Sequence, residues 1–139
     1  MNMSAMHIAR EIVSNEDRCD HVDRIFGIHF PLRLEPVIFT FADRLSKDYT
    51  GGYWNFYALG NGGFFMAPES DALFTVHADN GFQGKMSAEA FGVTACLYAY
   101  SNLSFGDGEL AEECAKQFHL LREYMLDHAE VGAILAAID

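Results

Sequence analysis

Apolar residues recur with a helical period at both ends of the chain and with a two-residue period in its middle. The first thirteen residues fit neither pattern well. They read as a flexible N-terminal segment with a short strand near Ile8–Val13, and residues 14–139 form one domain. A first helix starts after Ser14, where Ser14-Asn15-Glu16-Asp17 has the form of a capping box. Cys19, Val22 and Phe26 then share a face, and Gly27 ends the helix. A second helix runs from Pro36 to Lys47, with Ile38, Phe41, Ala42 and Leu45 as its apolar stripe.

The period changes at Gly51-Gly52. Tyr53–Leu59 is an aromatic strand. Gly60-Asn61-Gly62-Gly63 is its turn, with Asn-Gly suited to positive φ at both central positions, and Phe64–Ala67 is the return strand ended by Pro68. Leu73–Ala78 is a third strand, and Asp79-Asn80-Gly81 turns it into Phe82–Met86. Three helices follow. Ser87 caps Ala88–Leu103, which is apolar almost all round. Glu109–Leu126 carries Leu110, Cys114, Phe118, Leu121 and Met125 on one face. A second capping box at Asp127–Glu130 opens a short helix with Val131, Ile134, Leu135 and Ile138. The pattern predicts an α+β single domain: a small antiparallel meander of three to four strands packed with about five helices, in the order α-α-β-β-β(β)-α-α-α.

Charge narrows the function classes. The chain of 139 residues carries a formal net charge of −11. Residues 1–50 hold eight acids against six bases, whereas residues 51–139 hold twelve against three. A nucleic-acid binder needs clustered Lys and Arg to neutralise phosphate, so direct nucleic-acid binding is not expected. No apolar run reaches the roughly 18 residues of a membrane span, and no secretory signal is visible, which predicts a cytoplasmic protein. The acids of 103–139, eight against two bases, offer a contact surface for a basic protein more than an imitation of DNA.

Catalytic chemistry finds little footing. Ser70 with histidines at 77, 119 and 128 lacks a G-x-S-x-G elbow, and the three cysteines, Cys19, Cys96 and Cys114, all fall on apolar helix faces as reduced, buried thiols. Cys19-Asp20-His21 and Cys114 with His119 lack the spacing of a metal site. The Gly60–Gly63 run lies between strands and lacks Lys-Ser/Thr, so it is not a phosphate loop. One enzymatic alternative is a small hydrolase with Glu69, Asp71 and His77 converging near the sheet edge. The aromatic cluster Tyr53, Trp54, Phe56, Tyr57, Phe64 and Phe65 reads as core. Alternation puts Trp54 and Phe56 on one face and Tyr53, Asn55 and Tyr57 on the other, leaving one face for a partner.

The run Tyr49-Thr50-Gly51-Gly52-Tyr53-Trp54-Asn55-Phe56-Tyr57, then Leu59 and Asn61-Gly62-Gly63-Phe64-Phe65-Met66-Ala67-Pro68, resembles the signature block of the ArdB/KlcA antirestriction proteins. Asp43-Arg44-Leu45, Asn80-Gly81-Phe82, Ser87-Ala88 and the ending Ile134–Asp139 extend the resemblance from about Asp17 to the end. It implies a protein of plasmids and other mobile elements that alleviates type I restriction, with a compact fold, a small antiparallel sheet, no established catalytic residue and no cofactor. It also implies, as partner, a type I restriction enzyme or a host factor controlling it, met by a monomer or weak homodimer. The residues expected at such a contact are Tyr53, Asn55, Tyr57, Asn61, Glu69 and Asp139.

Overall fold

A computed structural model of the protein describes residues 7–139. Its elements are β1 (Arg10–Ile12), α1 (Arg18–Phe26), a π-helical turn (Phe30–Leu34) running into α2 (Glu35–Leu45), β2 (Trp54–Leu59), β3 (Phe64–Pro68), β4 (Leu73–His77), β5 (Gln83–Ser87), α3 (Ala88–Ser104), α4 (Glu109–Met125) and α5 (Val131–Ile138). The α+β class and the order of helices and strands stand as expected, with two differences in the strands.

First, the short strand expected near Ile8–Val13 forms as β1 and joins the sheet. Its residues pair antiparallel with β2 from Arg10↔Leu59 to Ile12↔Tyr57, and Ile8 and Val13 pack on the core. Residues 1–6 of the segment expected to be flexible lie outside the described residues. Second, the meander is cut in two. One sheet has the order β1-β2-β3, and β4 and β5 pair as a separate two-stranded sheet. Pro68 has no N–H to continue a ladder, and the exposed Glu69–Ala72 connection follows it. The Thr75 amide of β4 donates to the Asp48 carboxylate at 2.7 Å, a side chain standing where a strand would.

The helix starts also differ locally. Ser14 and Asp17 bond one another, but α1 begins at Arg18 with no side-chain cap. Glu130 does not close a box with Asp127, because its carboxylate accepts from the Ser87 amide and hydroxyl instead. Ser87 performs as predicted, accepting the Ala90 amide at 3.2 Å. The π turn had no signal in the periodicity. The Glu35 amide donates to the Phe30 carbonyl, a five-residue step. Pro36, which has no N–H, removes the donor that would bond Leu32 in a regular helix.

Helix α3 is the hub of the core. It packs on β3, α2, α4 and α5 and touches β4 and β5, which is why it is apolar on every side. Gly92 permits its approach to β3: a Cβ there would lie 2.3 Å from Ala67 Cβ and 2.5 Å from the Met66 carbonyl oxygen. Phe26, Phe30, Phe56, Phe64 and Tyr100 form an aromatic cluster in which Phe64 meets Phe26, Phe30 and Phe56 edge-on, with Phe56 and Phe64 centroids 5.3 Å apart, and Phe26 stacks on Tyr100. The buried Tyr100 hydroxyl donates to the Phe64 carbonyl at 2.7 Å.

Candidate interaction surface

The signature hairpin is better buried than alternation suggests. Trp54 and Phe56 point into the core, but Tyr57 on the opposite face is also buried, 8% exposed and stacked on Phe65 at 4.6 Å. Phe65 in turn stacks on Tyr124 of α4. Helices therefore cover both faces of the strand pair, and the expectation of one free face gives way to a rim. Tyr53, half exposed, and Glu69, exposed, sit at that rim, joined by the Glu69 amide donating to the Tyr53 carbonyl at 2.9 Å. They line a groove of about 250 Å³ with Asp48, Gly51 and Ser70. Asn55 is partly buried opposite Ala67.

Asn61 serves the fold. Its Oδ1 accepts the Gly63 amide and its Nδ2 donates to the Leu120 carbonyl of α4, both at 2.9 Å. Only Gly62 of this turn has positive φ, at 92°, so the pair of positive-φ residues expected at Asn61-Gly62 is not formed. The second hairpin repeats the device: Asn80 Oδ1 accepts the Phe82 amide, and Nδ2 reaches the Ala136 carbonyl at the end of α5 at 2.9 Å. Asp139 is exposed just beyond that end, its amide bonded to Leu135. Tyr57 and Asn61 are thus held by the interior, whereas Tyr53, Glu69 and Asp139 are presented to solvent.

The hydrolase alternative requires Glu69, Asp71 and His77 to converge. Asp71 precedes β4 and His77 ends it, so the strand separates them. Of the three, only Glu69 lines the rim groove. The cysteine expectation needs one correction. Cys96 and Cys114 are buried, and desolvation pushes both thiols up to about 12, but Cys19 lies exposed on α1. Among the described residues no three His, Cys, Asp or Glu side chains gather as a metal-ligand set.

The periodicity gave no sign of a polar network at the start of α3. The Glu89 carboxylate meets Arg10 Nε at 2.8 Å, His128 Nε2 at 2.8 Å and the Tyr124 hydroxyl at 2.9 Å. His128 Nδ1 accepts the Glu130 amide at 2.9 Å, so the neutral ring carries its proton on Nε2 and donates it to Glu89. Burial alone would raise the Glu89 pKa. The His128 and Tyr124 hydrogen bonds and the Arg10 charge outweigh it and hold the carboxyl below its ordinary value. Ser87 is nearby in sequence, but its hydroxyl is held by Glu130 and not by His128. The network fastens β1, α3 and the α4–α5 turn together, and its side chains do not line the rim groove.

A sequence model of the antirestriction proteins matches residues 47–139. The chain belongs to the ArdB/KlcA antirestriction family. An Escherichia coli antirestriction protein KlcA is 32% identical over the whole of both chains, and another is 39% identical over 91% of this chain and 90% of its own. The uncharacterized protein YafX of Escherichia coli K12 is 42% identical over 91% of this chain and 85% of its own. A solved structure matches with a TM-score of 0.87 and 34% identity over 95% of each chain. It comes from work on KlcA and ArdB that describes a novel fold and activity against type I DNA restriction systems in vivo but not in vitro. The two asparagine clamps and the Gly92 approach give physical content to this family's fold in the present chain. No single helix among the described residues is long and apolar enough to cross a membrane.

Proposed function

We propose that this protein, carried by a mobile genetic element, relieves type I restriction of incoming DNA in the cytoplasm. It does so by contact with the restriction enzyme or with a host factor that controls it, and neither catalyses a reaction nor imitates DNA. The observation carrying this reading is likeness over nearly the whole chain, in sequence and in fold, to proteins described as acting against type I systems in vivo. That these relatives do not act in vitro favours a contact made in the cell over simple occlusion of an isolated enzyme. Two further features support it. The carboxylates and histidine best placed for hydrolysis are separated, and the acids are spread among helix starts and rims, unlike a phosphate track with one charge per about 1.7 Å. The contact is assigned to the solvent-facing members of the candidate set, Tyr53, Glu69 and Asp139, and to the partly buried Asn55 of β2.

The test is phage plating on hosts with and without a type I system while this protein is expressed. Plating on the restricting host rises if the reading holds, and an unchanged efficiency at confirmed expression sinks it.

A further inference from the structure

The corner where α1 gives way to the π turn leaves apolar and acidic groups without partners. Ile28 is 63% exposed and Leu32 67% exposed. Between α1 and the turn lies a cleft of about 440 Å³. Val22, Phe30 and Phe56 give it an apolar floor, and Asp20, Asp23 and Glu35 supply its acids. None of these three carboxylates forms an ion pair among the described residues.

The cation of the cleft, Arg18, is already engaged. Its guanidinium lies 3.7 Å over the Phe56 ring and donates to the Tyr53 hydroxyl and the Trp54 carbonyl. Glu35 is partly desolvated, and burial pushes its carboxyl up with only partial relief from Arg18. A half-buried carboxylate without a hydrogen-bonded partner is unfavourable in the free protein, and an arriving cation relieves it. A second cleft on the other side of Ile28 is edged by Glu109, Glu112 and Glu113.

The occupant has to satisfy both chemistries. A nucleic acid is repelled by the carboxylates, and a bare metal ion leaves Ile28 and Leu32 uncovered. A basic segment with apolar neighbours meets both demands, because Arg and Lys carry an aliphatic stem under a cationic head. We propose that the cleft between α1 and the π turn docks such a segment of a partner protein. One arginine or lysine side chain enters beside Glu35 with its stem against Phe30 and Phe56, and apolar residues on either side cover Ile28 and Leu32. The proposal rests on the reading that this protein acts by protein contact, and it adds to the hairpin rim a second contact surface on α1 and the π turn.

Two measurements test it. The variant Asp20→Asn/Asp23→Asn/Glu35→Gln keeps every shape and removes the charge. Its melting temperature should not fall below the wild type's, while protection in the plating assay falls about tenfold or more, in keeping with a lost charged contact. Wild-type protection by this variant overturns the docking site, as does a loss matched by a lower melting temperature. If the wild type itself does not protect, the functional reading fails, and docking is decided by binding alone. For that, the acetylated, amidated hexapeptide Leu-Arg-Leu-Leu-Arg-Leu is titrated into the ¹⁵N-labelled full chain. Amide shifts concentrated at Ile28, Phe30 and Glu35 support the site, provided that they vanish in the triple variant and with citrulline in place of arginine. No shifts, scattered shifts, or shifts that survive citrulline overturn it.

Discussion

The signature hairpin and the α1–π-turn corner share Phe56, yet they are opposite in character. In the hairpin almost every group has a partner. Asn61 clamps α4, Gln117 accepts the Phe64 amide, and Tyr57, Phe65 and Tyr124 stack in series. In the corner, Ile28 and Leu32 face solvent, and Asp20, Asp23 and Glu35 form no ion pair among the described residues. The block of sequence that makes the family recognisable is therefore mostly interior. Its pattern reports a packing solution, and the surface that meets a partner is to be sought where the fold leaves groups unsatisfied.

The comparison breaks hardest at Gly92. A β-branched side chain there must displace the backbone of β3, since the nearest atoms are Ala67 Cβ, Ala67 Cα and the Met66 carbonyl. Gly92→Val is expected to destabilise the protein by about 3 kcal/mol, read as a lower denaturant midpoint, with protection lost along with the soluble protein. Asn61→Ala comes next. It removes two hydrogen bonds that close the turn onto α4, at a cost of about 2 kcal/mol. Faster amide exchange at Gly63 would locate the damage. Asn55→Ala, lacking such bonds, should change stability by less than about 0.5 kcal/mol.

The Glu89 network predicts a pH dependence. Its carboxyl titrates below the ordinary value of 4.5, so its contribution is present above that value and is lost as pH falls through the lower folded pKa. His21 acts in the same sense. Burial and then Arg24 hold its pKa below 6.5, the unfolded chain takes up the proton first, and stability declines as pH drops below that value. Thermal melts should thus worsen on acidification in two stages. Glu89→Gln should cost about 2 kcal/mol near neutrality, by stranding Arg10 and weakening the bond from His128, and should flatten the stage below 4.5. A second stage of wild-type steepness in that variant would remove Glu89 as its cause.

Most elements were legible in the sequence because local rules and packing agree there. Ser87, Gly62 and the 3.6-residue stripe of α4 each mark a local feature that the core also requires. What could not be read depends on distant partners. Glu130 looks like a capping-box acid, but Ser87 claims it across 43 residues. The π turn arises from two prolines and three buried residues, Phe30, Leu34 and Ile38, that seek one core. Among the contact candidates, Tyr53, Glu69 and Asp139 lie exposed. Tyr57 is buried because a helix covers the second strand face, which strand alternation does not report, and the half-buried Asn61 spends its side chain on Gly63 and Leu120.

The smallest effects on stability test the comparison most sharply. Glu69 and Asp139 are exposed, and the fold uses only their backbone. Glu69→Ala, or a chain ending at Ile138, should shift stability by no more than about 0.5 kcal/mol. If either change removes protection in the plating assay at wild-type melting temperature, the hairpin rim or the α5 end contributes directly to the contact. If both leave protection intact while charge removal at Asp20, Asp23 and Glu35 abolishes it, the contact belongs to the corner, and the signature block supports it only by holding Phe56 and Arg18 in place. Losses at both surfaces would mean that one partner spans α1 and the rim, with Arg18 between them, since it bonds Tyr53 on one side and borders the cleft on the other.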